Sequence, residues 1–230
     1  MQARWKKRLA PTTCFNNAYA LRKILRSIDE QLRTQLARAV EIPHHFQPRQ
    51  RTATPDELRR LFAAASPAMR MFLALTSILA LRFTEAESLG WSNYDEEHQR
   101  VRVKTKGGKI REFPVPDEVA ALIHVCPRGE GTFIQLLHGR KIREKHLREL
   151  WSRLRKKAGV PNDLHPHDLR RTAAVRVFEI TKDVFAAKAL LGHDALASTA
   201  WYLSPHEPKA MTDAAQALKT WSPTTKERVQ

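Results

Sequence analysis

The sequence predicts a mainly α protein with one small antiparallel β-sheet, an α+β chain. Three observations lead there. Apolar residues recur at three- and four-residue steps over most of the chain, the spacing of helices that bury one face. Several of those patterns open on Thr-Pro, Ser-Pro or His-Pro, and proline is tolerated in the first helical turn, where its missing N–H has no partner to lose. One stretch, residues 101–115, alternates apolar and polar side chains instead, with Gly107-Gly108 in its middle, and this pattern is that of a hairpin.

Taken in order, residues 13–40 carry Ala18, Leu21, Leu25, Ile28, Leu32 and Leu36 on one helical stripe, while Arg22, Lys23, Arg26, Arg33 and Arg38 fall largely outside it. A lone helix cannot bury such a stripe. Residues 43–53, with Pro43, Pro48 and several polar side chains, read as a linker. Thr54-Pro55-Asp56-Glu57 then forms a capping box, in which Thr54 and Glu57 each satisfy the other's backbone N–H. Leu58, Leu61 and Phe62 give that helix its buried face. Ser66-Pro67 opens a second helix, expected to continue through the apolar run Met71 to Leu81 and to lie central in the core. Arg82 stands where it ends. Thr84 to Glu87 reads as another capping box, with Gly90 as a stop.

After the hairpin, a helix is expected over 117–125, followed by a turn around Gly129 and Gly131. Residues 141–158 make a basic helix with Leu147, Leu150, Trp151 and Leu154 inward, ended by Gly159. His165-Pro166-His167-Asp168-Leu169-Arg170 turns from loop into a helix that runs to about Ile180. A further helix stops at Gly192-His193. Short helical pieces are expected at 198–203 and 208–220, before a polar tail.

Charge narrows the function. The 230 residues hold 40 Lys+Arg against 24 Asp+Glu, a formal net charge of +16. Such a balance fits a polyanionic partner, above all nucleic acid. Two cysteines, Cys14 and Cys126, are too few for a disulfide framework or a zinc site. The longest apolar run is too short to span a bilayer, and the basic N-terminus is not followed by an apolar signal core. The expectation is a cytoplasmic protein with no membrane contact. No Asp/Glu grouping has metal-ligand spacing, so neither a metal nor a cofactor is expected.

The chemistry concentrates at four places. His167 and Arg170 are three apart on one helix face, within the first turn, where free N–H groups and the helix dipole already favour anions. The other three are Leu81-Arg82-Phe83-Thr84-Glu85, Lys106-Gly107-Gly108-Lys109-Ile110-Arg111-Glu112-Phe113-Pro114, and Leu191-Gly192-His193 with Tyr202 nine residues after the histidine. Together these segments resemble the tyrosine recombinases of the phage integrase family. The family pattern is an arginine shortly before an acidic residue, a lysine in a β-hairpin, His-x-Leu-Arg, Leu-Gly-His and a following tyrosine. The resemblance covers roughly residues 54–205.

The resemblance implies the tyrosine recombinase catalytic-domain fold and a set of roles. Tyr202 is the implied nucleophile. Arg82 and Arg170 grip the non-bridging phosphate oxygens, a task suited to forked guanidinium donors. Lys106 is the implied general acid for the departing 5′-hydroxyl; Lys104 and Lys109 are its nearby rivals, and Lys106 is preferred because it lies eight residues before Pro114. His167 accepts the tyrosine proton, His193 hydrogen-bonds the phosphate or the tyrosine, and Glu85 supports Arg82 or His167. Arg143, Lys145, Arg148, Arg153 and Arg171 are candidate DNA contacts, or else part of a solvated basic face.

The implied reaction is site-specific recombination or integration, in which DNA is broken and rejoined by transesterification through a covalent 3′-phosphotyrosine. The partner is double-stranded DNA, met by a homotetramer on two DNA sites, with accessory DNA-bending proteins allowed for. Nucleoid, phage or mobile-element origin follows from the same resemblance. Two other readings stay open at this point: a DNA-binding relic or regulator without strand exchange, and a type IB topoisomerase-like relaxase. The expected organisation is a partial helical core-binding region at 1–42, a linker at 43–53, the catalytic domain at 54–207, and a C-terminal helix and tail at 208–230. Relatives usually carry several helices where residues 1–42 offer room for one, and Ala80 stands where the family often has glycine.

Overall fold

The computed structural model describes Ala20, residues 50–104, Gly108, residues 110–192 and Thr199. The chain divides into two compact units, Met1–Arg49 and Gln50–Gln230. Of the helix expected over 13–40 only the helical Ala20 is described, and of the piece at 198–203 only the helical Thr199; the helix expected over 208–220 lies outside the described residues.

Helix α1 (Pro55–Ala64) begins as its sequence requires: Thr54 Oγ1 accepts from the Glu57 N–H at 3.1 Å, and Glu57 Oε2 accepts from the Thr54 N–H at 2.8 Å. Just before it, Arg51 bonds Glu57 Oε2 at 3.0 Å and Asp163 at 3.1 Å. The Ala53 N–H donates to Thr172 Oγ1 at 2.7 Å. The last residues of the expected linker are therefore packed against the domain.

Helix α2 (Pro67–Ser77) is the centre of the core. Met71, Phe72, Leu73, Ala74 and Leu75 are all at 0% exposure, so this helix is buried on every side rather than along one stripe. It ends at Ser77, four residues before the expected Leu81. Thr76 and Ser77 hydroxyls bond back to carbonyls of the preceding turn, competing with the backbone ladder there. Ala80 then takes a left-handed φ of 52°, and the Leu81 N–H returns to Leu75 O at 3.0 Å. This reversal delivers Arg82 to the start of the short helix α3 (Phe83–Ser88) instead of the end of α2. The box that forms there pairs Arg82 with Glu85, two residues earlier than the expected Thr84–Glu87.

A 3-10 turn over Trp91–Asn93 leads to strand β1 (Tyr94–Asp95), β2 (Arg100–Lys104) and β3 (Ile110–Pro114), one antiparallel sheet in the order β1-β2-β3. The register sets Val101 opposite Phe113 and Arg102 opposite Glu112, so apolar side chains share one face and an ion pair of 2.8 Å lies on the other. Helix α4 (Asp117–His124) follows. Helix α5 (Phe133–His138), which periodicity did not announce, is opened by Thr132 and closed by Gly139 at φ 76°.

Helix α6 (Glu144–Lys157) buries Leu147, Trp151 and Leu154 as expected, but starts at Glu144, three residues after Lys141. Helix α7 (Pro166–Thr181) and α8 (Val184–Leu191) follow. Most of the core surrounds α2. A smaller apolar cluster, Ala80, Ala173, Ala174, Val175, Ala187 and Leu191, joins the α2–α3 reversal to α7 and α8. Its small side chains let backbone carbonyls come close to α7, and the functional groups gather over it. No helix among the described residues is long and apolar enough to cross a membrane.

Candidate active site

Three corners at helix ends meet over the small cluster. At the first, Arg82 precedes α3, and Glu85 one turn later is 5% exposed. Glu85 Oε2 accepts from the Arg82 backbone N–H at 2.8 Å while Oε1 takes the Arg82 guanidinium at 2.7 Å. One carboxylate thus fixes both the start of the helix and the direction of the side chain. The Arg82 side chain keeps 37% exposure, so a charged face still looks out to solvent.

At the second corner, Pro166 occupies the first turn of α7 and Asp168 accepts from the His165 N–H at 2.7 Å. Leu169 and Ala173 anchor the inward face at 0% and 4% exposure. This fixes His167 and Arg170 over the cluster. Arg170, at 1% exposure, is the largest fully buried side chain among the described residues. Its Nη1 donates to Ala80 O, its Nη2 to Leu191 O at 2.6 Å, and Nη1 stands 3.7 Å from Glu85. The left-handed turn at Ala80 and the end of α8 both direct carbonyls at this one guanidinium. An arginine offers five donors and cannot lose its charge, which is why it survives burial where a lysine would discharge.

His167 lies at the surface by exposure, yet it stands among crowded groups. Desolvation and then Arg170 press its imidazole below the ordinary value. Asp168 acts the other way, and Arg82 and Arg171 add to the lowering. A histidine kept neutral beside fixed cations is free to accept a proton near neutral pH.

The third corner is the end of α8. Gly192 closes it at φ 58°, a left-handed cap that suits glycine. A Cβ on Gly192 would also overlap the guanidinium of Arg111, which reaches over from strand β3. Arg111 donates to Leu191 O at 2.9 Å and to Leu190 O at 3.0 Å, and it stacks on Phe113 at 4.3 Å. Burial lowers its pKa from the usual arginine range; Glu85 opposes that shift and Arg82 reinforces it, which places Arg111 within the field of the same cluster.

Two pairs remote from each other in sequence, Arg82 with Glu85 and His167 with Arg170, are therefore brought together. Lys106, His193 and Tyr202 lie outside the described residues, as does Lys109; Lys104 is at the exposed end of β2. Of the candidate DNA contacts, Arg143, Lys145, Arg148 and Arg153 are exposed on or just before α6. Arg148 pairs with Glu144 at 2.6 Å and stacks on Phe83, the neighbour of Arg82, at 4.5 Å. Arg171 differs, at 3% exposure, and is not part of that exposed basic face. Its position in α7, directly after Arg170, places it in the packed interior instead.

Sequence reasoning missed Arg111. A signal existed: positions 111, 113 and 115 share one strand face, and Phe113 and Val115 are buried. An arginine in that phase is a charged residue on an inward face. Among the described residues no group of three or more His, Cys, Asp or Glu is placed to hold a metal. The positive side chains at the site suit an anion instead.

The profile of the Phage integrase family matches residues 51–208. Among curated relatives, the tyrosine recombinase XerC 1 of Ralstonia nicotianae is 27% identical over 148 residues, covering 57% of this chain and 45% of that protein. The tyrosine recombinase XerC of Ralstonia pickettii is 31% identical over 131 residues, covering 51% and 39%. The chain thus spans less than half the length of either relative. Among solved structures, the Tn1549 transposon integrase in complex with circular intermediate DNA superposes with a TM-score of 0.61 at 16% identity, over 86% of this chain and 76% of that one. The catalytic domain of bacteriophage HP1 integrase gives 0.57 at 19% identity, over 77% and 98%. The fold is that of tyrosine recombinase catalytic domains, and the chain belongs to the phage integrase family.

Proposed function

We propose that the protein is a site-specific DNA recombinase or integrase that breaks and rejoins strands by transesterification. The observation that carries this reading is the meeting of Arg82 and Arg170 on Glu85, with His167 in the field of both arginines, within a family-matched segment. Tyr202 Oη attacks a backbone phosphorus, the P–O5′ bond breaks, and the 3′ side remains joined to the tyrosine. His167 takes the phenol proton and Lys106 supplies one to the departing 5′-oxygen. A 5′-hydroxyl from another strand then reverses the step, so bond energy is conserved and no nucleotide is consumed.

The charge that develops on the five-coordinate phosphorus is met from two sides. Arg82 presents an exposed guanidinium to the non-bridging oxygens, and Arg170 adds a fixed positive charge from beneath. Preorganised charge of this kind is usually the largest catalytic contribution. His193 hydrogen-bonds the phosphate or the tyrosine. Arg143, Lys145, Arg148 and Arg153 track the DNA backbone. Four protomers act on two double-stranded sites, with accessory DNA-bending proteins assisting.

A suicide substrate nicked close to the scissile phosphate tests the reading, because loss of the short 5′-hydroxyl fragment traps the covalent complex. Wild-type protein should give an adduct that survives denaturing electrophoresis, and Tyr202→Phe should give none. An adduct equally abundant with Tyr202→Phe would rule out the assigned nucleophile.

A further inference from the structure

Arg111 ties two parts of the site that the chain itself leaves 80 residues apart. It lies on β3, three residues from the glycine of the hairpin loop that carries Lys106. Its guanidinium crosses to the C-terminal end of α8, one residue before Gly192 and two before His193. There it donates to the carbonyls of Leu191 and Leu190, with a third, marginal approach to Ala189 O at 3.5 Å. The Leu190 and Leu191 carbonyls are groups that a helix end leaves without intrahelical partners, and a cation there also meets the negative pole of the helix.

The acceptor it shares is informative. Leu191 O takes Arg111 Nη1 at 2.9 Å and Arg170 Nη2 at 2.6 Å. One carbonyl thus sits between the hairpin's arginine and the buried arginine of α7. Gly192 leaves the space this needs, since any side chain there would displace the Arg111 guanidinium. The Phe113 ring supports the other face of the guanidinium at 4.3 Å. Van der Waals packing, hydrogen bonding and chain reversal at Gly192 all converge on the same few atoms.

We infer that Arg111 is a positioning residue that clamps the lysine-bearing hairpin to the end of α8 and, through the shared Leu191 carbonyl, fixes the seat of Arg170. The inference rests on the recombinase reading for its catalytic consequence, but the clamp itself is a property of the fold. It predicts a defect in the chemical step rather than in DNA binding, because small displacements of catalytic groups are felt in rate. It also predicts that lysine fails as a substitute. A single ammonium lacks the planar fork that reaches two adjacent carbonyls while lying flat on a ring.

The test uses the full chain with Arg111→Lys and Arg111→Gln. Single-turnover adduct formation on the nicked substrate should slow about 10- to 100-fold at saturating DNA in both variants. The DNA concentration giving half the maximal rate should stay within about threefold of wild type. Hydrogen exchange at residues 189–192 should rise in both, since the Gly192 N–H bonds to Lys188 O and Ala189 O sit under the clamp. Wild-type rate in Arg111→Lys would overturn the proposal, as would a loss confined to DNA affinity, unchanged exchange, or global unfolding of both variants. If wild-type protein forms no adduct, the functional reading fails, and exchange at 189–192 still decides the clamp.

Discussion

Arg82 and Arg170 bring the same guanidinium to the same carboxylate and are held in opposite ways. Arg82 is fixed by a charge, the carboxylate of Glu85 at 2.7 Å, and keeps 37% of its side chain in solvent. Arg170 is fixed mainly by uncharged backbone, the carbonyls of Ala80 and Leu191, and is 1% exposed. The first can meet a ligand without disturbing the core. The second is built into the packing, so its direction is set by how α2 reverses and where α8 ends. A site assembled this way has one cation that does chemistry at little structural cost and another whose chemistry and stability are inseparable.

Removing each arginine breaks the comparison most directly. Arg170→Ala takes the guanidinium donor from the Ala80 carbonyl, leaves Leu191 O with Arg111 alone, and removes a positive charge 3.7 Å from the buried Glu85. It should destabilise the protein by about 3–5 kcal/mol, the range for breaking a buried charged network from one side. Arg82→Ala removes an ion pair open to solvent only on the arginine's side, and Glu85 keeps the residue-82 backbone N–H and the Arg170 charge, so the cost should be about 1 kcal/mol. Both should lower the adduct rate by about 100-fold or more, since each supplies charge at the phosphate. Urea unfolding alongside adduct kinetics separates the two cases. Equal stability losses would mean that Arg82 is as structural as Arg170.

The same comparison can be sharpened through His167. Desolvation and then Arg170 hold its imidazole below the ordinary value, with Arg82 a weaker contributor. In the folded chain the ring therefore stays neutral at a pH where the unfolded chain has already bound a proton. As pH falls through the unfolded value of about 6.5, the unfolded state gains protons first and stability drops; the drop is complete below the depressed folded value. Above the unfolded value this residue contributes no pH dependence. Wild type should thus lose more stability than His167→Gln between pH 7.5 and 5, measured as urea midpoints. Adduct formation, if His167 accepts the tyrosine proton, should hold steady as pH falls through 6.5 and decline only lower. In Arg82→Ala the His167 resonance should titrate slightly higher than in wild type. A large rise would reverse the order of the two arginines in its field.

What the sequence disclosed follows from how local each feature is. Thr54 and Ser66 mark helix starts through contacts within four residues, and both starts form as expected. His167 and Arg170 were legible because three residues on one helix fix a shared face. The end of α2 was not legible, since an apolar run to Leu81, interrupted only by Thr76-Ser77, conceals a reversal made by hydroxyl back-bonding and a left-handed alanine. Helix α5 has six residues, too few for periodicity to speak. Arg111 and the burial of Arg171 depend on partners brought in by the fold. In each case the missing information is tertiary: which carbonyl, from a segment remote in sequence, points at which guanidinium.

Ala80 is where that tertiary information costs something locally, and its replacement by glycine gives the smallest of the expected effects. Its carbonyl seats Arg170, and to aim it the residue adopts φ 52° with its methyl at 0% exposure. A left-handed conformation costs an L-residue roughly 1–2 kcal/mol, which explains why glycine suits this position. Ala80→Gly would relieve that strain. It would also give up a buried methyl worth about 0.8 kcal/mol and enlarge the unfolded ensemble by about 0.4–1 kcal/mol. The contributions nearly cancel, so Ala80→Gly should change unfolding free energy by less than about 1 kcal/mol. Ala80→Val adds β-branching at a positive φ and bulk to a filled cluster, and should cost more than about 2 kcal/mol. If valine were tolerated as well as glycine, the reversal would not be tightly defined at Ala80, and the seat of Arg170 would have to be set by Leu191 alone.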